Sequence, residues 1–103
     1  MYSILDLARI LGWTFLNDAP QAAFVEHLLL DSRQIAFPAT ALFFAIKGKR
    51  HDGHDFIEGI YEKGVRNFVV AQAVETKAYP EANFIIVPDV VVALQELASY
   101  HRH

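Results

Sequence analysis

One hundred and three residues, 53% hydrophobic and 20% charged, describe one globular domain large enough to bury its own core without a metal or disulfide staple. The lack of cysteine excludes a disulfide framework, a thiolate metal site and a cysteine nucleophile, and it fits a cytosolic protein. A formal charge of −3 argues against a nucleic-acid binder, no apolar run approaches the roughly 18 residues of a membrane helix, and Met1–Gly12 lacks the basic start of a signal peptide.

Ser3 and Asp6 stand in capping-box spacing ahead of Ile4, Leu7, Ala8 and Leu11, which recur at helical intervals until Gly12 offers a left-handed stop. Trp13–Leu16 reads as a short strand and Asn17-Asp18-Ala19-Pro20 as a turn; Trp13 is most simply core packing. Phe24–Leu30 is apolar apart from Glu26 and His27 and reads as one strand, with His27 as a structural histidine. Ala41–Ile46 (ALFFAI) is a near-continuous apolar run, the pattern of a parallel strand covered on both faces. Asp55 and Glu58 form a second capping box for a helix whose stripe is Phe56, Ile57, Ile60 and Tyr61 and whose end is Gly64. Asn67–Ala71 and Asn83–Val87 are further buried strands, joined by a polar connection through Tyr79-Pro80. Pro88-Asp89 opens a last helix with Val90, Ala93, Leu94, Leu97 and Ala98 on one face. This alternation predicts an α/β three-layer sandwich on a largely parallel or mixed sheet. The last helix runs to His103 without a capping glycine, as expected of a piece of a longer protein; His101 and His103 carry no assigned role.

Two polar clusters follow predicted strands, at the sheet edge where open α/β sheets bind ligands. The first is Asp31-Ser32-Arg33, where Ser32 is a candidate donor to a ligand and Asp31 and Arg33 pair with each other or with the second cluster. The second is Lys47–His54, with two glycines and six ionisable side chains, among them three of the nine Lys and Arg residues (Lys47, Lys49 and Arg50). A phosphorylated small molecule suits these cations, the glycines and the N-terminus of the following helix; a plain solvated turn is the other reading. Asp52 is expected to accept from main-chain N–H groups of its own turn, with Gly53 at positive φ. The loop is neither a nucleotide-triphosphate P-loop, which needs a hydroxyl after its lysine, nor a GxGxxG fingerprint. His51, His54, Asp52 and Asp55 suggest a metal, yet no other cluster completes a closed site. No nucleophile elbow surrounds Ser32, which leaves serine catalysis without support.

Leu30-Asp31-Ser32-Arg33, Leu42-Phe43-Phe44-Ala45-Ile46-Lys47-Gly48 and Asp52-Gly53-His54-Asp55-Phe56-Ile57, in this order and spacing, resemble the N-terminal domain of the Mur ligases, which extend the peptidoglycan stem peptide. The resemblance is strongest to the ligases that add D-alanyl-D-alanine to UDP-N-acetylmuramoyl-tripeptide. The wider wording of residues 42–70 and 79–102 is similar to the subtype fused to an alanine racemase. The chain departs from the family at Phe37-Pro38-Ala39-Thr40-Ala41, where Pro-Gly-Asp is usual, and at Gly64-Val65, where Gly-Ala is usual.

The resemblance implies one cytoplasmic UDP-substrate-binding domain over residues 1–103. Leu30 and Ser32 would border the uridine with Arg33 beside them, Lys49, Arg50 and His51 would line the nucleotide from the other loop, and Lys47, Asp52 and Gly53 would shape that loop. It implies no catalytic residue and no cofactor in this stretch. ATP, Mg2+ and, in a fusion, pyridoxal phosphate belong to other domains of the parent enzyme, which are this domain's partners alongside UDP-N-acetylmuramoyl-tripeptide; nucleic acid and membrane insertion are not expected. The alternative is a non-catalytic α/β module that binds a protein partner or a phosphorylated small molecule.

Overall fold

The computed structural model of the protein describes residues 1–31 and 35–102. Strands β1 (Tyr2–Ser3), β2 (Thr14–Phe15), β3 (Phe24–Val25), β4 (His27–Leu29), β5 (Ala41–Phe44), β6 (Asn67–Val70) and β7 (Asn83–Ile86) alternate with helices α1 (Ile4–Leu11), α2 (Ile57–Glu62) and α3 (Val90–Arg102). The five-stranded sheet has the order β2-β7-β6-β5-β4, with β4 through β7 parallel and β2 antiparallel at one edge. β1 and β3 form a separate antiparallel pair.

Successive strand residues point to opposite faces of a sheet, so β5, β6 and β7 feed two cores. Leu42, Phe44, Val69 and Ile85 pack with Ile4 and Leu7 of α1 and with Val90, Ala93 and Leu97 of α3. Phe43, Phe68, Val70 and Phe84 pack with Ile57 and Ile60 of α2. Every residue of β5 and β6 is buried, as a strand covered on both faces requires. Trp13 joins the first core edge-on to Phe44, with ring centroids 6.4 Å apart.

The helix signals work as physics predicts at α1 and α3. The Ser3 hydroxyl accepts from the Asp6 N–H at 3.4 Å, and Gly12 closes α1 at φ 71°, a conformation in which a Cβ is strained. The Asp89 carboxylate accepts from the N–H groups of Val91 and Val92 at 2.9 and 3.2 Å and so caps α3.

Two expectations about these elements need correction. Phe24–Leu30 is two strands in two sheets: β3 pairs with β1 and β4 with β5, and between them the Glu26 N–H donates to the Thr40 carbonyl at 2.8 Å. The run is apolar because each half has a buried side, while Phe24 and Leu28 face outward. Asp55 is not the cap of the second helix. A 3-10 turn, Gly53–Phe56, precedes α2, and Asp52 caps it by accepting from the His54 N–H at 3.0 Å. His27, read as a structural histidine, is exposed at the start of β4, where its ring stacks on Phe37 at 5.2 Å.

Candidate functional site

The carboxyl ends of β4 and β5 open onto the same edge, and the chain leaving β5 builds the wall of a cleft there. Lys47 and Asp52 form an antiparallel bridge, and the Gly48 N–H donates to the His51 carbonyl at 2.7 Å, which closes a tight turn with Lys49 and Arg50 at its tip. The turn is held to the strand where the Gly53 N–H donates to the Ile46 carbonyl at 2.8 Å. Gly53 does not take the positive φ expected of it; among the glycines only Gly12 and Gly64 do. Its reason is contact: a Cβ at this position would lie 2.7 Å from the Ile46 nitrogen and 2.8 Å from the Ala45 carbonyl carbon.

A cleft of about 430 Å³ lies between the two chain segments, lined by Leu30 and Asp31 after β4 and by Ile46, His51, Gly53 and Phe56 after β5, with Phe43 also lining it. Of the residues singled out from the sequence, Leu30, His51 and Gly53 therefore meet in one cavity. Lys49 and Arg50 are exposed at the turn's tip and line no part of it. Lys47 lines a neighbouring cleft of about 240 Å³ with His54, Gln72 and Asp89, and Asp52 lines neither. Ser32 and Arg33 lie outside the described residues.

The side chains that sequence reasoning missed are mostly the apolar ones. Phe56 was placed in the core stripe of the second helix, yet it is 40% exposed and its ring centroid lies 6.3 Å from that of His51. The two rings and Leu30 give the cleft flat apolar surface, while Asp31 supplies an acceptor and His51 a group that donates or accepts. The combination suits a planar heterocycle carrying hydroxyls, with the exposed cations Lys49 and Arg50 standing just outside on the same turn.

Asp52 works within the protein. Hydrogen bonds from the His54 main chain and from the His54 ring hold its carboxyl below the ordinary value of 3.8, with further help from the Gln72 amide. A folded-state value below the unfolded one gives stability that is present above the unfolded value and lost as pH falls through the folded one. Urea midpoints should therefore fall as the pH is lowered from 3.8. Asp52→Asn should flatten that acid limb, since asparagine has no proton to gain; an unchanged limb would contradict the assignment.

Among the described residues no three His, Asp or Glu side chains are grouped as a metal ion requires, and the Gly48-Lys49 pair sits in a hairpin-like turn and not at a helix N-terminus.

Comparison with known proteins decides the family. The model of the Mur ligase family, catalytic domain, matches residues 25–102. The chain belongs to the Mur ligase family. It is 31% identical over 100 residues to the UDP-N-acetylmuramoyl-tripeptide--D-alanyl-D-alanine ligase of Haemophilus influenzae, covering 97% of this chain and 20% of that protein. It is 37% identical over 75 residues to the UDP-N-acetylmuramoyl-L-alanyl-D-glutamate--2,6-diaminopimelate ligase of Geobacter sulfurreducens, covering 73% of this chain and 14% of that one. A crystal structure of MurF from Acinetobacter baumannii superposes with a TM-score of 0.82 at 24% identity, over 98% of this chain and 21% of the other, and so shares the fold. This Mur ligase chain thus spans about a fifth of the length of the first relatives it matches. None of its described helices is long and apolar enough to cross a membrane.

Proposed function

We infer that this chain is the substrate-anchoring domain of a MurF-type peptidoglycan ligase and holds the UDP end of UDP-N-acetylmuramoyl-tripeptide. The observation that carries the reading is the shared cleft: Leu30 and Asp31 from one strand end face His51 and Phe56 from the other, at the edge where parallel sheets take ligands. The Haemophilus influenzae relative, named for joining D-alanyl-D-alanine to that substrate, supports the subtype. Residues 1–103 form the UDP-binding unit. The parts that use ATP and Mg2+ belong to the remainder of a cytoplasmic parent enzyme, as does an alanine racemase with its pyridoxal phosphate where one is fused.

In this role the domain contributes by positioning. Binding energy from a distant nucleotide holds the reacting end of the substrate in place, which removes entropy from the barrier. Uracil lies against Phe56 and Leu30, Asp31 accepts from the uridine, and Lys49, Arg50 and His51 face the pyrophosphate; Ser32 and Arg33, which the family resemblance assigns to the same nucleotide, complete the proposed set.

Charge-assisted hydrogen bonds contribute about 1.5–3 kcal/mol each, against an association cost of about 4–15 kcal/mol. Calorimetric titration should therefore give a UDP Kd on the order of tens of micromolar or weaker. Affinity should fall with salt because the exposed cations are screened. Ser32→Ala with Arg50→Ala should weaken it by a further tenfold or so. No saturation at millimolar UDP, or nanomolar binding insensitive to salt, would overturn the reading.

One observation favours a second reading, a module that binds a protein partner. A groove of about 280 Å³ on another part of the surface is lined largely by apolar side chains, among them Tyr2, Val25, Leu28 and Leu97. A chain that ignores UDP while retaining a partner after Ser32→Ala and Arg50→Ala would support it.

A further inference from the structure

Asp52 and His54 have the composition of a catalytic dyad, but both imidazole nitrogens are already committed. The Ala71 main-chain N–H donates to His54 Nε2 at 3.1 Å, and since a peptide N–H only donates, Nε2 carries no proton. The proton therefore sits on Nδ1, which donates to Asp52 Oδ1 at 2.5 Å, and the side chain is only 9% exposed. Asp52 Oδ2 accepts from the Gln72 amide at 3.2 Å. Lys47 and Asp89 complete the surroundings from the exit of β5 and the start of α3. A ring held this way has no lone pair left to take a proton from a substrate.

We propose that His54 is a positioning residue: its ring ties Asp52, at the base of the Lys47–Asp52 turn, to the main chain leaving β6, and so fixes where His51 stands over the nucleotide cleft. The turn is closed on itself by the Lys47–Asp52 bridge and the Gly48–His51 hydrogen bond. It is held to β5 by the Gly53–Ile46 hydrogen bond and to the end of β6 through Asp52. Among the described residues, removing the imidazole leaves the Gln72 amide as the side-chain tie to Asp52 on that flank, and the turn is then free to pivot about Gly53. The functional part of this inference rests on the reading of the cleft as a uridine nucleotide site; the bracket itself does not.

Three variants of the full chain separate the two halves of the bracket. His54→Asn retains a donor for Asp52 and loses the reach to Ala71. His54→Gln retains an acceptor for Ala71 and loses the contact with Asp52. His54→Phe fills the volume with neither. Nitrogen-15 NMR of the wild-type chain should show an Nδ1-protonated ring and a slowly exchanging Ala71 amide. In His54→Phe that exchange should rise at least about tenfold, the His51 resonances should move, and UDP affinity should fall on the order of five- to tenfold. His54→Gln should restore Ala71 protection while affinity stays low at a temperature where all variants are fully folded, because Asp52 remains untied, a split that general destabilisation does not give. An Nε2-protonated ring, or unmoved His51 signals in His54→Phe, overturns the bracket. Wild-type UDP affinity retained in His54→Phe overturns the positioning role. If the wild-type chain itself fails to bind UDP, the nucleotide reading falls, and the ring tautomer, Ala71 exchange and His51 shifts still decide the bracket.

Discussion

Gly53→Ala should lower stability by about 1–3 kcal/mol and weaken UDP binding by roughly tenfold or more. The added Cβ meets main-chain atoms of Ala45 and Ile46, at 2.7–2.8 Å, and no flexible side chain is there to swing aside. Relief requires that the turn move away from the exit of β5. That breaks the Gly53–Ile46 hydrogen bond and carries His51 out of the cleft. Two neighbouring glycines serve as controls. A Cβ at Gly48 meets only the His51 carbonyl oxygen, at an ordinary 3.5 Å, and one at Gly59 meets nothing within 4 Å. Gly48→Ala should therefore be neutral or slightly stabilising through the unfolded chain. Gly59→Ala, inside α2, should stabilise by about 0.5–1 kcal/mol. Urea denaturation of the three variants alongside UDP titration checks the set. A Gly53→Ala variant as stable as the Gly48→Ala variant would refute the close-approach account.

This glycine also marks what the sequence makes legible and what it does not. Capping chemistry at Ser3, Gly12 and Asp89 and the buried runs of β5, β6 and β7 are local signals, and each appears where its spacing places it. The meeting of the Leu30 and His51 segments was also readable, because parallel β4 and β5 deliver their ends to one edge. Misreadings arose where a long-range partner decides between two locally equal options. Asp52 and Asp55 both fit a helix start, and Asp52 takes the cap because His54 and Gln72 converge on its carboxylate. Phe56 sits at the margin of the α2 stripe, so spacing alone cannot say that it lines the cleft while Ile57 enters the core. The split of the Phe24–Leu30 run depends on β1 and β5 competing for its halves.

The buried asparagines show the same limit from another side. Asn67 and Asn83 each precede a phenylalanine at the start of a strand, a repeat visible in the sequence, but their use is tertiary. Asn83 Nδ2 donates to Asn67 Oδ1 at 3.0 Å and to the Gln21 carbonyl at 2.8 Å, and its Oδ1 accepts from the Gln21 N–H. The pair pins the connection between β2 and β3 at the sheet edge opposite the cleft; it satisfies the Asn67 Oδ1 and both polar atoms of the Asn83 side chain, while the buried Asn67 Nδ2 has no partner among the described residues.

Phe84→Ala should have the largest effect on stability, about 3–5 kcal/mol by loss of apolar burial and creation of a cavity. The ring is fully buried in the α2-side core, stacked on Phe68 at 4.8 Å and tilted against Tyr79 at 5.4 Å, while Phe68 in turn meets Phe43 edge-on at 6.1 Å. Four aromatic side chains thus form a row from the outer end of the β6–β7 connection to the cleft, and rigid rings collapse poorly onto a vacancy. For a domain of this size each kcal/mol lowers Tm by about 4–8 °C, so the variant should melt at least about 12 °C below the wild type. Phe84→Leu, which keeps most of the apolar volume, should lose less than half as much. Phe84 does not line the cleft, and the Phe43 ring that does keeps its main-chain position in β5. At a temperature where Phe84→Ala remains folded, its UDP affinity should therefore stay within about threefold of the wild type, since the row connects Phe84 to the cleft-lining Phe43 by way of Phe68 and the β5 main chain fixes where Phe43 stands. Gly53→Ala loses affinity out of proportion to stability and Phe84→Ala loses stability out of proportion to affinity. Equal losses of affinity in both would mean that the cleft's shape depends on the whole aromatic row and not on the turn that closes it.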